Sequence, residues 1–304
     1  MNRLLILGCG YVGSAVAWRA VDEGREVTAV TRNPERAAAL AATGVHAVVA
    51  DLAESNWHGQ VGREFETVLN CVGSGGSGME GYRRSYLEGM KSVLVWARSA
   101  AVGTLVYTSS TSVYAQDAGV RVDESMPAEG RNETAQILVE TEKLLRNAPA
   151  AERANLRRWF ILRLAGIYGP ERHSLLDAIR IGYTSLPGTG GHRLNLAHRD
   201  DIVDAIFACF DASPAVYDQV FNVADDAPAT KHEVAVWLAS QLGKTAPALA
   251  GGLAPGRSAA VPDRIIANGR IKEALGWSPV HPTFREGYAE ILLQESPQKG
   301  AEGA

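Results

Sequence analysis

The stretch "LLILGCGYVGSAVA", Leu4–Ala17, decides how the rest of the chain is read. An apolar run ends in Gly8, Gly10 and Gly13, and a helix-like pattern begins at once. The spacing G-x-G-x-x-G is weak by itself, but at a strand-to-helix turn it is specific. There Gly8 permits the tight turn, Gly10 lets the backbone approach a pyrophosphate, and Gly13 lets the helix pack on the sheet. The helix start at Tyr11 and Val12 then offers unpaired N–H groups to an anion. The competing reading is a glycine-rich turn that binds nothing. Arg3, the apolar run and the Ala-Val-Ala also mimic a secretory leader, but the glycines interrupt that run.

Outward from this turn, short β-type runs alternate with helical patterns. The strands expected are Arg3–Gly8, Glu26–Thr31, His46–Asp51, Thr67–Val72, Thr104–Ser109 and Trp159–Ala165. The helices expected are Val12–Glu23, Pro34–Thr43, Tyr82–Ala100 and Thr134–Asn147. The runs are nearly continuous in apolar residues, as strands buried on both faces are. The expectation is an α/β fold: a doubly wound parallel sheet of the Rossmann type with a smaller C-terminal substrate lobe. Residues 1–169 would form the dinucleotide domain, with a return to it at 194–224, and most of 170–304 would form the lobe. "VFNVAD" (Val220–Asp225) reads as one more short strand, "TAPALAGGLAPGRSAAVP" as a mobile loop, and "ESPQKGAEGA" as a disordered end.

Composition sets bounds. The chain has 304 residues, 46% hydrophobic and 21% charged, with a net charge of −4. That balance gives no overall attraction to nucleic acid or to an anionic membrane surface. Arg153, Arg157 and Arg158 make one local basic cluster, read as a solvated helix end. No stretch reaches the roughly 18–20 apolar residues of a membrane span. The 3 cysteines, Cys9, Cys71 and Cys209, show no metal or disulfide spacing and read as buried thiols in a reducing cytoplasm. No metal site is expected.

The second strand bears on the cofactor. An acidic residue at its end would bond the adenosine ribose hydroxyls. Here the end is Thr31-Arg32, with Arg36 one turn on. A guanidinium suits a 2′-phosphate through charge-assisted paired hydrogen bonds. NADP(H) is therefore favoured, with NAD(H) and a plain surface role for Arg32 as the alternatives.

Several further segments, in order, resemble the extended short-chain dehydrogenase/reductase family, the NAD-dependent epimerases and dehydratases. Asp51-Leu52 is similar to that family's adenine-contacting pair. "NCVGSGG" (Asn70–Gly76), with Cys71, Val72 and Gly73, stands where the family has an Asn-Ala-Ala-Gly-like segment beside the cofactor. "VYTSSTSVYA", "LRLAGIYGPE", "LAHRDDIVDAI" and "LGWSPVHPTFREGYAEIL" resemble its later motifs. The resemblance spans nearly the whole chain and is weakest over Gly243–Arg264.

The resemblance implies a Ser, a Tyr and a Lys as the chemical groups, the lysine lowering the tyrosine's pKa. Ser110 matches the serine. Aligned on Glu142 and Leu144-Leu145, the tyrosine position holds Thr134 and the lysine position Leu138. No tyrosine lies between Tyr114 and Tyr168, and Lys143 is in the wrong helical phase. A further family position, usually Asn, holds Tyr86. The likeness is thus to atypical members that keep the fold without the usual pair. The substitutes considered are Tyr114 and Glu133 with Ser110, and behind them Tyr168, His173 and His192. For each the plainer reading is packing, capping or surface exposure.

Two functions follow. One is an NADP(H)-dependent oxidoreductase or epimerase/dehydratase-like enzyme acting on a carbonyl or nucleotide-sugar-like small molecule. The other is a non-catalytic NADP(H)-binding sensor. The resemblance also implies a homodimer built on the Tyr82–Ala100 and Thr134–Asn147 helices.

Overall fold

The computed structural model describes residues 2–74, 78–149, 153, 155–186, 190–251 and 261–295. Its first half runs β1 (Arg3–Leu7), α1 (Tyr11–Asp22), β2 (Glu26–Thr31), α2 (Pro34–Ala41), β3 (His46–Val49) and β4 (Glu64–Asn70). Then come α3 (Gly78–Tyr82), a π-helical turn (Arg83–Glu88), α4 (Gly89–Ala97), β5 (Ala101–Ser110), β6 (Val120–Val122) and α5 (Glu133–Arg146). β7 (Leu156–Leu164) leads through β8 (Gly166–Tyr168), α6 (Ser174–Arg180), β9 (Ser185–Leu186), β10 (Arg193–Leu194) and β11 (Leu196–His198) to α7 (Arg199–Phe210). β12 (Gln219–Val223), β13 (Ala229–Thr230), α8 (Lys231–Gln241), β14 (Ala248–Leu249), β15 (Arg264–Ile266), α9 (Gly269–Leu275) and α10 (Phe284–Gln294) complete it.

Seven strands form one sheet in the order β12-β7-β5-β4-β1-β2-β3, every pair parallel. From β1 the chain first moves outward through β2 and β3. It then crosses back to β4 and moves the other way. The direction reverses between β1 and β4, and open sheets of this kind bind ligands at that reversal, beyond the strands' C-terminal ends. The glycine turn after β1 lies there.

Both faces of the sheet are buried, which explains the continuous apolar runs. Leu4 and Ile6 pack with Val16, Ala17 and Ala20 of α1 and with Ile202 and Ile206 of α7. Leu5 and Leu7 turn to the other face, onto Met90, Val93 and Leu94 of α4. A third cluster, separate from the sheet, joins Leu176, Val234, Leu238, Phe284 and Ile291 from α6, α8 and α10.

Four expectations need correction. The single helix expected over 82–100 is three pieces, broken by the π turn at Arg83–Glu88. β5 starts at Ala101, earlier than expected, because Gly103 is a strand residue. A Cβ there would come within 2.4 Å of the Glu66 carbonyl, so the glycine is required by close strand approach. The Arg153–Arg158 cluster is not a helix end. Arg157 and Arg158 lie in β7, Arg158 donates to Thr104 Oγ1 and to the carbonyls of Ala212 and Ser213, and Arg153 pairs with Asp218. The loop expected from Thr245 contains β14, which pairs with β9. Most of the rest of that loop, and the end expected to be disordered, lie outside the described residues.

Candidate active site

The turn after β1 has the shape that its glycines predict. Gly8 has φ +95°, and a Cβ on it would lie 2.7 Å from the Val72 Cα. A Cβ on Gly13 would lie 2.3 Å from the Gly8 carbonyl and 2.8 Å from Cys71 Sγ. Only glycine lets α1 sit this close to the ends of β1 and β4. At Gly10 the situation is opposite: nothing lies within 4 Å of where a Cβ would stand. That open space above the start of α1, whose N-cap has no side-chain partner, is a cradle of the kind a pyrophosphate needs. Gly73, on the next loop, is open in the same way.

Cys71 donates from Sγ to the Gly8 carbonyl at 2.9 Å, tying the two loops together. Burial pushes the Cys9 thiol up to about 12 and raises Cys71 as well. Both are protonated structural thiols at neutral pH. Tyr11 reaches the other way: its hydroxyl donates to the Pro170 carbonyl at 2.7 Å, with the Arg172 and Arg199 guanidiniums each 5.5 Å from its ring. It couples the glycine turn to the segment that leads into the C-terminal cluster.

The ends of β2 and β3 are rich in arginine. Thr31 is buried and its Oγ1 accepts the Asn33 N–H. Arg36 Nη1 donates to Ser14 Oγ at 3.3 Å, which brings it over the start of α1. Arg32 Nη1 lies 3.9 Å from Asp51 Oδ2. Arg84, from the π turn, donates to that same oxygen at 2.9 Å and also pairs with Glu54. Partial burial works against the Asp51 anion. The Ala53 N–H and the Arg84 and Arg32 charges outweigh it and hold the carboxyl below its usual range. Leu52 is buried beneath. Arg84 was missed in the sequence, where nothing marks it among the charges of that helix.

The expected chemical positions fare differently. Ser110 ends β5 half-exposed, and its Oγ accepts the Ser112 N–H at 3.1 Å. That leaves its own proton free to donate. Glu133 is exposed in the first turn of α5. Thr134 is half-exposed with Oγ1 donating to Asn132 Oδ1, and Leu138 is 3% exposed in the core.

Tyr114 must be corrected. It is fully buried; its hydroxyl donates to Asn222 Oδ1 and accepts from Arg163 Nη1, both at 2.8 Å. Arg163 is in turn paired with the buried Glu142 at 2.6 Å, and Ser109 donates to Glu142. Burial pushes the phenol up despite Arg163. Tyr114 belongs to a buried, satisfied polar network inside the sheet. His173 is likewise held, by Glu295.

Tyr168, one of the substitutes considered, stands with two titratable groups that the sequence did not mark. Tyr168, His198 and Asp225 are all buried, with Tyr168 Oη, His198 Nε2 and both Asp225 carboxylate oxygens lacking hydrogen-bond partners. The rings of Tyr168 and His198 are 5.2 Å apart, and those of His198 and His281 3.9 Å. Among the described residues, no cluster of His, Cys, Asp and Glu could hold a metal ion. No helix among them is long and apolar enough to cross a membrane.

A glycine cradle at the reversal point of a parallel sheet, with a shaped adenosine side, defines a dinucleotide-fold protein. A family model described as "NAD dependent epimerase/dehydratase family" matches residues 4–224, and the chain belongs to that family. It is 29% identical over 197 residues to Protein YeeZ of Escherichia coli K12, a match covering 65% of each chain. It is 29% identical over 220 residues to a 3-diazoavenalumate denitrifying reductase of a Streptomyces species, covering 66% of this chain and 68% of the relative. The fold matches that of MoeE5, solved in complex with UDP-glucuronic acid and NAD, with a TM-score of 0.81 at 23% identity, covering 95% and 97% of the two chains.

Proposed function

We propose that the chain is an NADP(H)-dependent oxidoreductase acting on a small carbonyl or nucleotide-sugar-like substrate. The observation that carries this reading is the pairing of the open space at Gly10 with Arg32, Arg36 and Arg84 at the adenosine side. An NAD-selective site would present an unpaired carboxylate to the ribose hydroxyls. Here β2 ends in Thr31-Arg32 with no carboxylate, and Asp51, after β3, is already paired with arginine. The name of the Streptomyces relative supports a reductase over an epimerase.

When bound, the nicotinamide supplies or accepts the hydride. The chain's own part is orientation. Gly8, Gly10, Tyr11, Val12 and Gly13 hold the pyrophosphate, and Cys71, Val72 and Gly73 border the nicotinamide half. Ser110 donates to the substrate oxygen at the C-terminal end of β5. Thr134 and Leu138 cannot supply the ionisable tyrosine and its cation, so the proton at the substrate oxygen comes through Ser110 from water. The three unpaired thiols suit a reducing, cytoplasmic setting.

The test is thermal stability with each cofactor. Binding to the native state raises stability as the logarithm of ligand over Kd. NADPH at a given concentration is expected to raise Tm more than NADH. A larger rise with NADH would sink the cofactor choice. Absence of turnover across a carbonyl panel, alongside tight NADPH binding, would favour the sensor instead.

A further inference from the structure

Arg84 is out of place for a stabilising residue. It and Arg32 come from distant parts of the chain, one from the turn before α4 and one from the end of β2. They converge on a single oxygen, Asp51 Oδ2, at 2.9 and 3.9 Å. Both side chains are open, at 43% and 40% exposure, and exposed ion pairs of this kind contribute little to fold stability. The buried Arg163–Glu142 pair, at 2% exposure on each side, shows what a structural pair in this protein looks like.

The backbone holds Arg84 where it is. The segment widens into a π turn at Arg83–Glu88, and π turns concentrate at functional sites. Directly after it, Gly89 lies so close to Leu52 that a Cβ would be 3.3 Å from Leu52 Cδ2. The turn is thus seated on the Asp51-Leu52 segment, and Arg84 is delivered onto Asp51.

We propose that Arg84 is a second determinant of NADP(H) choice, acting with Arg32 on the adenosine 2′-phosphate. This rests on the NADP(H) reading above. Arg84 does two things there. Its guanidinium, held by Asp51 through Nε and by Glu54 through Nη2, offers a phosphate charge-assisted hydrogen bonds from the N–H groups those carboxylates leave over. It also neutralises Asp51, whose carboxylate, left bare after β3, would repel a phosphate. Removing Arg84 therefore costs the phosphate twice.

The experiment is calorimetric titration of wild type and Arg84→Gln with 2′,5′-ADP and 5′-AMP, repeated with NADPH and NADH. In the variant the 2′-phosphorylated ligands are expected to weaken at least about 10-fold, the lower end for a charged hydrogen bond in an exposed site. 5′-AMP and NADH should bind as before or more tightly, which also shows that the variant is folded. Equal weakening of both classes would make Arg84 merely structural, and unchanged binding of 2′,5′-ADP would remove it from the site; either overturns the proposal. A wild type that prefers NADH overturns the NADP(H) reading and this one with it. A wild type that prefers NADPH with a variant that keeps the preference overturns Arg84 alone.

Discussion

Ser110 and Tyr114 stand four residues apart, the sequence favours Ser110 for substrate contact, and their surroundings separate them further. Ser110 has its oxygen fixed by the Ser112 N–H and its proton free at the end of the sheet. Tyr114 has its hydroxyl closed between Asn222 and Arg163. The substitutions Ser110→Ala and Tyr114→Phe should therefore separate. Ser110→Ala is expected to lower kcat about 10- to 100-fold, the loss of one hydrogen bond made in the transition state, with Tm nearly unchanged. Tyr114→Phe leaves Asn222 and Arg163 short of a buried partner and should destabilise by about 1–3 kcal/mol while leaving kcat within a few-fold. Paired kinetics and thermal melts check both, and a Tyr114→Phe that loses activity at full stability would return the phenol to the site.

Legibility in the sequence followed the range of the physics involved. The turn at Gly8–Gly13 was readable because its constraints are local. Strand cores were readable because burial on both faces leaves long apolar runs. The helix over 82–100 was read correctly as helical and wrongly as continuous. Its break falls just before Gly89 meets Leu52, 37 positions away in the chain, and no local pattern reports that contact. Arg84 was invisible for the same reason, and so was the burial of Tyr114, which depends on β7 and β12. The arrangement of α4 and α5 has its own consequence. Leu87 and Lys91 on one side, and Lys143 and Leu144 on the other, line a groove of about 600 Å³, with Val95 of α4 49% exposed beside it. We infer that a second copy of the chain covers this face in a twofold dimer. In such an interface each substitution counts twice. Leu144→Arg should then remove about 1.5–3 kcal/mol of association, roughly half the full-burial value for a half-buried leucine on each of two copies, and shift the protein toward monomer. Sedimentation of wild type as a monomer would refute the pairing.

At the scale of the whole molecule, the sheet and the C-terminal cluster meet where groups are poorly matched to neutral pH. Asp225 follows β12, buried, with neither carboxylate oxygen bonded. Burial, with Asp226, Asp201 and Glu286 adding repulsion, moves it from 3.8 up to about 8. Tyr168 lies in the same pocket and is pushed up chiefly by burial, then by Asp225. His281, on the segment before α10, loses some basicity to burial but more than regains it from Asp201 and Glu290, and rises from 6.5 to about 9. The signs agree. A folded Asp225 holds its proton more tightly than an unfolded one, so its contribution is full below about pH 4 and is lost as pH climbs to about 8. His281 contributes fully below about 6.5 and loses this as pH climbs to about 9. Between pH 6.5 and 8 both losses run together, so stability should fall across neutrality instead of peaking there. Carboxylates with lowered values, such as Asp117 at about 2, act only at the acid end, and His58 and His198, which burial holds below 6.5, oppose the fall only up to about pH 6.5. Asp225→Asn, which keeps the shape without a titrating proton, should flatten the fall between pH 5 and 6.5 and leave only the His281 part from 6.5 to 9. Urea melts at half-unit steps from pH 5 to 9 measure the slope. A wild type whose stability is level or rising over that span would show that Asp225 keeps its charge in the folded chain, with water or the bound substrate completing its hydrogen bonds.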